Sequence, residues 1–544
     1  MVRDRTLDPS SQACGLLALA RQTLVIATHP VVNPSPLLLC DGLLEWVDRR
    51  RWWLWGFMLL MYIAGFNGQW RMQPDAALYL SLGRNLAEGK GYTYLGQPHH
   101  LAYPGWPFLI AVAFKVFGSH ALIAVNAMST LIALLTVATV YRLFLLHTSR
   151  ATAVAISTGV GLTKAFYCYG FELWADMPFA LGALAFLTGY EGIITRAGKA
   201  FTPVERFRRR LIDALFLSGG LVLALATRPT VWPLLLAMAF ALPLDAARGR
   251  IQWRNVVLIF TFAAAIACAI LLGHHDFGSG YKQFLMIRLS GPGRHELIYS
   301  IADNTRSLLA WAASDVLFQV RLGPFFNALL SIVVLLLGFG LFRYRSLWGF
   351  WFCLLLGTIL VSQETLDRYF LPVLPLLVFA WWNMIVRINR MLPARWGNPV
   401  FLLLLGFGTL MNFTKVCGII AQQHSRPFLS SYDTGRYDNI PEFSQRLSAA
   451  IEPDAIVLMG KPYGRVCAFL SRRNVESAAE VAPVTAGRHP VYVAYFDPGD
   501  PLTNQFLQQA GLKEGPALFT VHALARCAAG GKTLSLHSTH FKRP

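Results

Sequence analysis

Long apolar runs alternate with short polar joints through most of this chain, and near the C-terminus the pattern changes. Eleven apolar segments recur, at roughly residues 52–67, 121–146, 151–171, 174–194, 211–226, 230–244, 256–273, 325–342, 347–361, 369–386 and 400–416. Runs of this length predict helices that cross a membrane, since a hydrocarbon core about 30 Å thick takes roughly 20 apolar helical residues. A twelfth run, PGWPFLIAVAFKVFG at 104–118, is shorter, has two prolines near its start and carries Lys115 near its end. The stretch 417–544 reads differently. NIPEFSQRLSAAI has the period of an amphipathic helix, AIVLMG and HPVYVAYFDP read as strands, NQFLQQAGL as a helix and ALFTVHALARC as a strand. Strand and helix in alternation predict a small α/β domain. It carries no glycine-rich phosphate loop, so binding or shielding suits it better than catalysis.

Charge decides how the segments are threaded. Arg49, Arg50 and Arg51 precede the first run. If the twelfth run lies in the membrane plane, the other basic joints fall on the same side as these arginines: Arg142 and Arg150, residues 196–210, Arg248, Arg250 and Arg254, Arg343 and Arg345, and Arg387, Arg390 and Arg395. If it spanned, every one of them would be inverted. The positive-inside rule therefore favours an in-plane helix. Asp75, Glu172 and Asp176 then share the outer face. The expected architecture is a polytopic α-helical membrane protein of about eleven spans with a small extracytoplasmic α/β domain. Its parts would be a tail at 1–50, a membrane domain at 51–416 with outer loops 68–120 and 274–324, and the domain at 417–544.

Composition agrees. The 544 residues are 55% hydrophobic and 14% charged, where a soluble chain carries about 25% charged residues. The net charge of +19 sits mainly in short joints, which is an orientation signal; with no basic domain, nucleic acid is not an expected partner. The eight cysteines form no CxxC motif. Cys467 and Cys527 could pair in an oxidising compartment, or Cys467 could be a buried free thiol. Before Arg49, GLLALARQTLVIAT is apolar, short and broken by Arg21. It fits an interfacial helix or an over-extended start better than a cleaved signal.

Several residues could carry chemistry. Asp75, in QPDAALY just past the first run, could accept a proton from a hydroxyl, hold a metal, or simply begin a helix. Glu172 and Asp176 lie four apart at the mouth of an apolar run, where like charges repel and an acid is costly. They are catalytic candidates, or interfacial acids answered by a nearby arginine. Arg228 in ALATRPTVWPLLL and Arg368 in DRYFLPVLPLL stand at run mouths, and a guanidinium suits a phosphate. Arg368 could instead pair locally with Asp367 or Glu364. Lys282 and Arg288 add charge in the second large loop. His99 and His100, with His274, His275 and Asp276, are weak candidates for a divalent metal, because adjacent histidines point apart.

Together these pieces resemble the polyprenyl-phosphate-sugar-dependent glycosyltransferases of the GT-C superfamily, nearest the bacterial branch of aminoarabinose and protein-mannosyltransferase-like enzymes. The resemblance rests on PDAALYLSLGRNLAEGKGYTY with GQPHHLAYPGWPFLIAVAFKVFG, on ELWADMPFALGALAF, on LALATRPTVWPLLL, and on DRYFLPVLPLL followed by a polar tail. It runs from about Arg51 to the end. It implies a membrane enzyme of the bacterial inner membrane that works at the outer face. The donor would be a polyprenyl-phosphate sugar, the acceptor a lipid, protein or glycan, and the reaction inverting. Asp75 would be the base and Asp176 a second acid, with Glu172 beside it. Arg368, Arg228 and Lys282 would hold the donor phosphate. Many members carry Asp-Glu in the first loop; here Asp75 is followed by Ala76. Two rival readings remain: a lipid or solute transporter, which would put charges near the midplane and show repeated halves, and a polysaccharide ligase or polymerase. Charges at run ends, and the first-loop acid, favour the transferase.

Overall fold

The computed structural model describes residues 39–195, 202–273, 291–319, 323–362, 367–425, 440–452, 455–459, 463–476, 490–496, 512–521 and 534–541. Helix α1 (Leu39–Arg49) leads into α2 (Arg51–Gly65). A loop follows, with α3 (Pro74–Ala87), the strand pair β1 (Thr93–Tyr94) and β2 (Gln97–Pro98), and α4 (Gly105–Phe117). Then come α5 (Ala121–Leu145), α6 (Arg150–Gly161), α7 (Lys164–Tyr169), α8 (Asp176–Thr195), α9 (Pro203–Thr227), α10 (Val231–Ala247) and α11 (Trp253–Gly273). After α12 (Gly291–Ser307) a π turn leads to α13 (Ala313–Leu317). The helical part ends with α14 (Pro324–Gly340), α15 (Ser346–Val361), α16 (Leu374–Met391) and α17 (Ala394–Ser425).

Each expected apolar segment falls on helix. Among the described residues, five helical runs are long and apolar enough to cross a membrane: Gly105–Leu145, Asp176–Thr195, Pro203–Thr227, Pro324–Arg343 and Arg395–Ser425. Large apolar side chains such as Trp52, Leu60, Leu336 and Leu403 stand exposed, as lipid-facing residues do. One expectation needs correcting. Residues 151–171 form two helices, because Thr163 caps a new one, its hydroxyl accepting from Phe166 N–H at 3.4 Å.

The bundle is pinned at α8 and α9. A Cβ at Gly182 would come within 2.6 Å of Ala224 N, so only glycine permits this approach. Thr202 caps α9, its hydroxyl accepting from Glu205 N–H at 3.3 Å. The two helices run antiparallel, so Thr195 and Pro203 share one end and Asp176 and Thr227 the other. At the first end lies a buried ionic network. Glu191 accepts from Arg345 Nε at 2.8 Å, and His147 Nε2 lies 3.3 Å away. Asp245 accepts from the Tyr190 hydroxyl at 3.0 Å and from Ser346 Oγ and Arg250 Nη1 at 3.1 Å each. Arg142 approaches Asp213 at 3.7 Å. Three of the joint arginines, Arg142, Arg250 and Arg345, thus each stand beside a buried acid at this end.

The C-terminal stretch builds a five-stranded sheet of order β4-β3-β5-β7-β6, where β3 is Ile456–Met459, β4 Asn474–Glu476, β5 Val491–Phe496, β6 Leu512–Val521 and β7 Leu534–Phe541. β3 pairs in parallel with β4 and β5; β7 runs antiparallel to β5 and β6. Helices α18 (Ile440–Ala450) and α19 (Tyr463–Ser471) accompany it. The expected helix at NQFLQQAGL lies outside the described residues, as does Cys527.

Candidate active site

Two carboxylates open helices at the same end of the bundle. Asp75 follows Pro74 in the first turn of α3, and Asp176 begins α8. A helix start favours an anion, because its N–H groups and dipole point outward. Arg228 sits in extended backbone directly after α9, where the dipole favours a cation.

Each acid meets an arginine. Asp75 Oδ2 accepts from Arg368 Nη1 at 3.1 Å. Asp176 pairs with Arg228. Arg368 stacks 4.1 Å above the Trp174 ring. Tyr369 lies between the arginines, 5.6 Å from Arg368 and 5.7 Å from Arg228. The two pairs are thus neighbours across one aromatic ring. Burial would lower the Arg368 pKa, but Asp75 together with the Tyr369 and Tyr79 rings holds the guanidinium above its ordinary value. A third guanidinium arrives from α19: Arg465 Nη1 lies 3.4 Å from Asp75 Oδ1. Both carboxylate oxygens therefore face cations.

Glu172 stands apart from this group. It is fully buried, 3.9 Å from Nη1 of Arg71, which is 2% exposed. Cys168 Sγ donates to its Oε1 at 3.3 Å, and Ser129 Oγ to its carbonyl at 3.1 Å. Arg71 also meets the Gln423 amide, which ties it to the end of α17. The stretch from Arg71 to Gln73 leads straight into Asp75, so this pair fixes the approach to α3.

His99 is a structural residue of the first loop. Its Nε2 accepts from Ala102 N–H at 3.1 Å. Burial, then Arg465 and His100, push its pKa down to about 4. His100 is exposed and does not join it at a ligand set. Among the described residues, no three His, Cys, Asp or Glu side chains lie close enough to hold a metal. Asp75 itself is committed to guanidinium groups, which does not suit a cation site. Lys282, Arg288, His274, His275, Asp276 and Glu364 lie outside the described residues.

The sequence reading missed Arg71, Trp174, Tyr369 and Arg465. Arg71 had a signal, being a lone cation four residues before Asp75. Arg465, in KPYGRVCAFL, had none, because only the docking of α19 on α3 brings it to the loop.

The helical membrane bundle with a mixed sheet at its C-terminal side has a GT-C-like fold. Two solved structures carry the likeness. The first is ArnT from Cupriavidus metallidurans bound to undecaprenyl phosphate, at TM-score 0.50 and 14% identity, covering 89% of this chain and 97% of that one. The second is the archaeal oligosaccharyltransferase AglB from Archaeoglobus fulgidus, in complex with an inhibitory peptide and a dolichol-phosphate, at TM-score 0.52 and 11% identity, covering 82% and 70%. The sequence matches no family model and no curated protein.

Proposed function

We propose that this protein transfers a sugar from a polyprenyl-phosphate donor to a hydroxyl of a lipid, protein or glycan acceptor. The observation that carries the reading is the meeting of Asp75 with Arg368, a carboxylate beside a guanidinium at a helix start, which suits a base next to a phosphate-binding cation. The lipid phosphates in the two similar structures support the donor class.

In this reading Asp75 takes the proton of the acceptor hydroxyl. The freed oxygen attacks the anomeric carbon from the face opposite the phosphate. A bond forms there as the bond from carbon to phosphate oxygen breaks, so the configuration inverts. The departing polyprenyl phosphate gains negative charge, which Arg368 neutralises. Asp176 and Arg228 border the same space across Tyr369 and orient the acceptor. Lys282 would add charge toward the lipid phosphate. Glu172 acts through Arg71 as a positioning residue.

In this reading about eleven apolar segments thread the bilayer with 104–118 in the plane, and the turn at Gly118 (φ 52°) between α4 and α5 supports that placement. The arginine-rich end faces the cytoplasm of a bacterial inner membrane, and Asp75 and the tail 417–544 face out. Purified protein in detergent, given radiolabelled polyprenyl-phosphate sugars and a membrane extract, tests the reading. Label moving to an acceptor supports it. No turnover of any lipid-linked sugar, with transport of an intact lipid or solute in liposomes, would replace it with a transporter.

A further inference from the structure

We propose that Arg465 belongs to the donor-phosphate subsite, and that it guards Asp75 until the phosphate draws it away. This inference rests on the transferase reading. Asp75 offers one negative charge to two guanidinium groups, one at each oxygen, at 3.1 Å and 3.4 Å. The cluster carries one positive charge in excess. A carboxylate held by two cations is a poor base, so one contact must loosen before it can take a proton.

The two contacts are unequal. The Arg368 side chain is 11% exposed and stacked on Trp174. The Arg465 side chain is 34% exposed, and its contact is the longer one. Arg465 is the movable partner. Its base is nonetheless fixed. Arg84 Nη1 donates to the Phe469 carbonyl at 2.9 Å and stacks 4.7 Å over the Phe469 ring. Trp70 meets the same ring edge-on at 5.1 Å. These contacts seat α19 on α3, so the C-terminal stretch hands a mobile guanidinium to the membrane part.

A phosphate is the ligand that fits. A polyprenyl-phosphate sugar carries one negative charge, and the polyprenyl phosphate released carries about 1.5 to 2 at pH 7. The growing charge pulls a guanidinium off a carboxylate in step with bond breaking. Proton uptake by Asp75 and departure of the phosphate are thereby coupled.

The test compares wild type with Arg465→Ala, Arg465→Lys and Phe469→Ala, all full length in detergent. Binding of undecaprenyl phosphate is read by tryptophan fluorescence, with undecaprenol as the uncharged control; donor KM and kcat come from initial rates. Arg465→Ala is expected to weaken undecaprenyl phosphate binding by about 10- to 100-fold, as loss of a charge-assisted hydrogen bond does, leaving undecaprenol unaffected. Arg465→Lys restores part of the loss. Phe469→Ala weakens binding too, by unseating α19. The unfolding midpoint of Arg465→Ala stays near wild type, because the lost pair is partly exposed. Wild type that binds while Arg465→Ala binds equally overturns this inference alone. Wild type that binds no undecaprenyl phosphate overturns the transferase reading and this inference with it.

Discussion

Replacing one member of the Arg71–Glu172 pair should be among the costliest single changes in the protein. The side chains are 2% and 0% exposed and 3.9 Å apart. Removing Arg71 leaves the Glu172 carboxylate in the interior without that cation, next to the Cys168 thiol at 3.3 Å. Breaking such a buried pair costs about 3–5 kcal/mol, whereas replacing both members with apolar groups of similar volume is close to neutral. Arg71→Met and Glu172→Leu are therefore each expected to lose about 3 kcal/mol or more, and Arg71→Met/Glu172→Leu to recover most of it. The assay is SDS-driven unfolding of the micelle-bound protein followed by circular dichroism, arranged as a double-mutant cycle. A functional signature should accompany it. The pair fixes the stretch that enters α3, and misplacing a catalytic group by about 1 Å can cost roughly 100-fold. Single changes costing under about 1 kcal/mol, or strict additivity, would refute the reasoning.

Two further outcomes follow from the geometry. His99 has a folded pKa near 4 against an ordinary 6.5, so the unfolded state binds more protons between those values. Its contribution, at most about 3 kcal/mol, is full above pH 6.5 and falls away as pH drops toward 4. Protection of the Ala102 amide from hydrogen exchange, relative to its intrinsic rate at each pH, should fall across that window in wild type and lose this dependence in His99→Gln; identical profiles would exclude the His99 contact as its cause. Gly182→Val should cost about 1–3 kcal/mol or more by forcing α8 from α9, whereas Gly219→Ala, with open space around it, should not. Equal losses in the two would show that the close approach is not what pins the bundle.

Much of this was legible in the sequence because membrane helices announce themselves by composition. Each of the eleven expected apolar runs lies on helix, and Asp75, Asp176, Arg228 and Arg368, picked out from their place at run ends, form two ion pairs. Their partners were less legible. Arg368 borders Asp367 and Glu364 in sequence, yet it bonds Asp75, 293 residues away. A local pattern cannot show a pair made by folding. The same limit hid Glu172: its spacing from Asp176 suggested two acids on one face, but α8 begins only at Asp176, so Glu172 lies before the helix and turns inward to Arg71. In the tail, AIVLMG and HPVYVAYFDP gave strands β3 and β5, since buried strands read as apolar runs. Helix α19 was missed because KPYGRVCAFLSRR begins on turn-forming residues, and β7 because LSLHSTHF alternates with polar residues that do not mark a core.

The central claim is that Asp75 is the base of a sugar transfer from a lipid phosphate. The most direct measurement is transfer of radiolabelled sugar from polyprenyl phosphate to an acceptor by purified wild type and Asp75→Asn, side by side. Asparagine keeps the size and can still contact Arg368, but it cannot take the proton. A fall of roughly 100- to 10,000-fold in kcat, with undecaprenyl phosphate still bound, is the predicted result. Equal transfer by wild type and Asp75→Asn would contradict it.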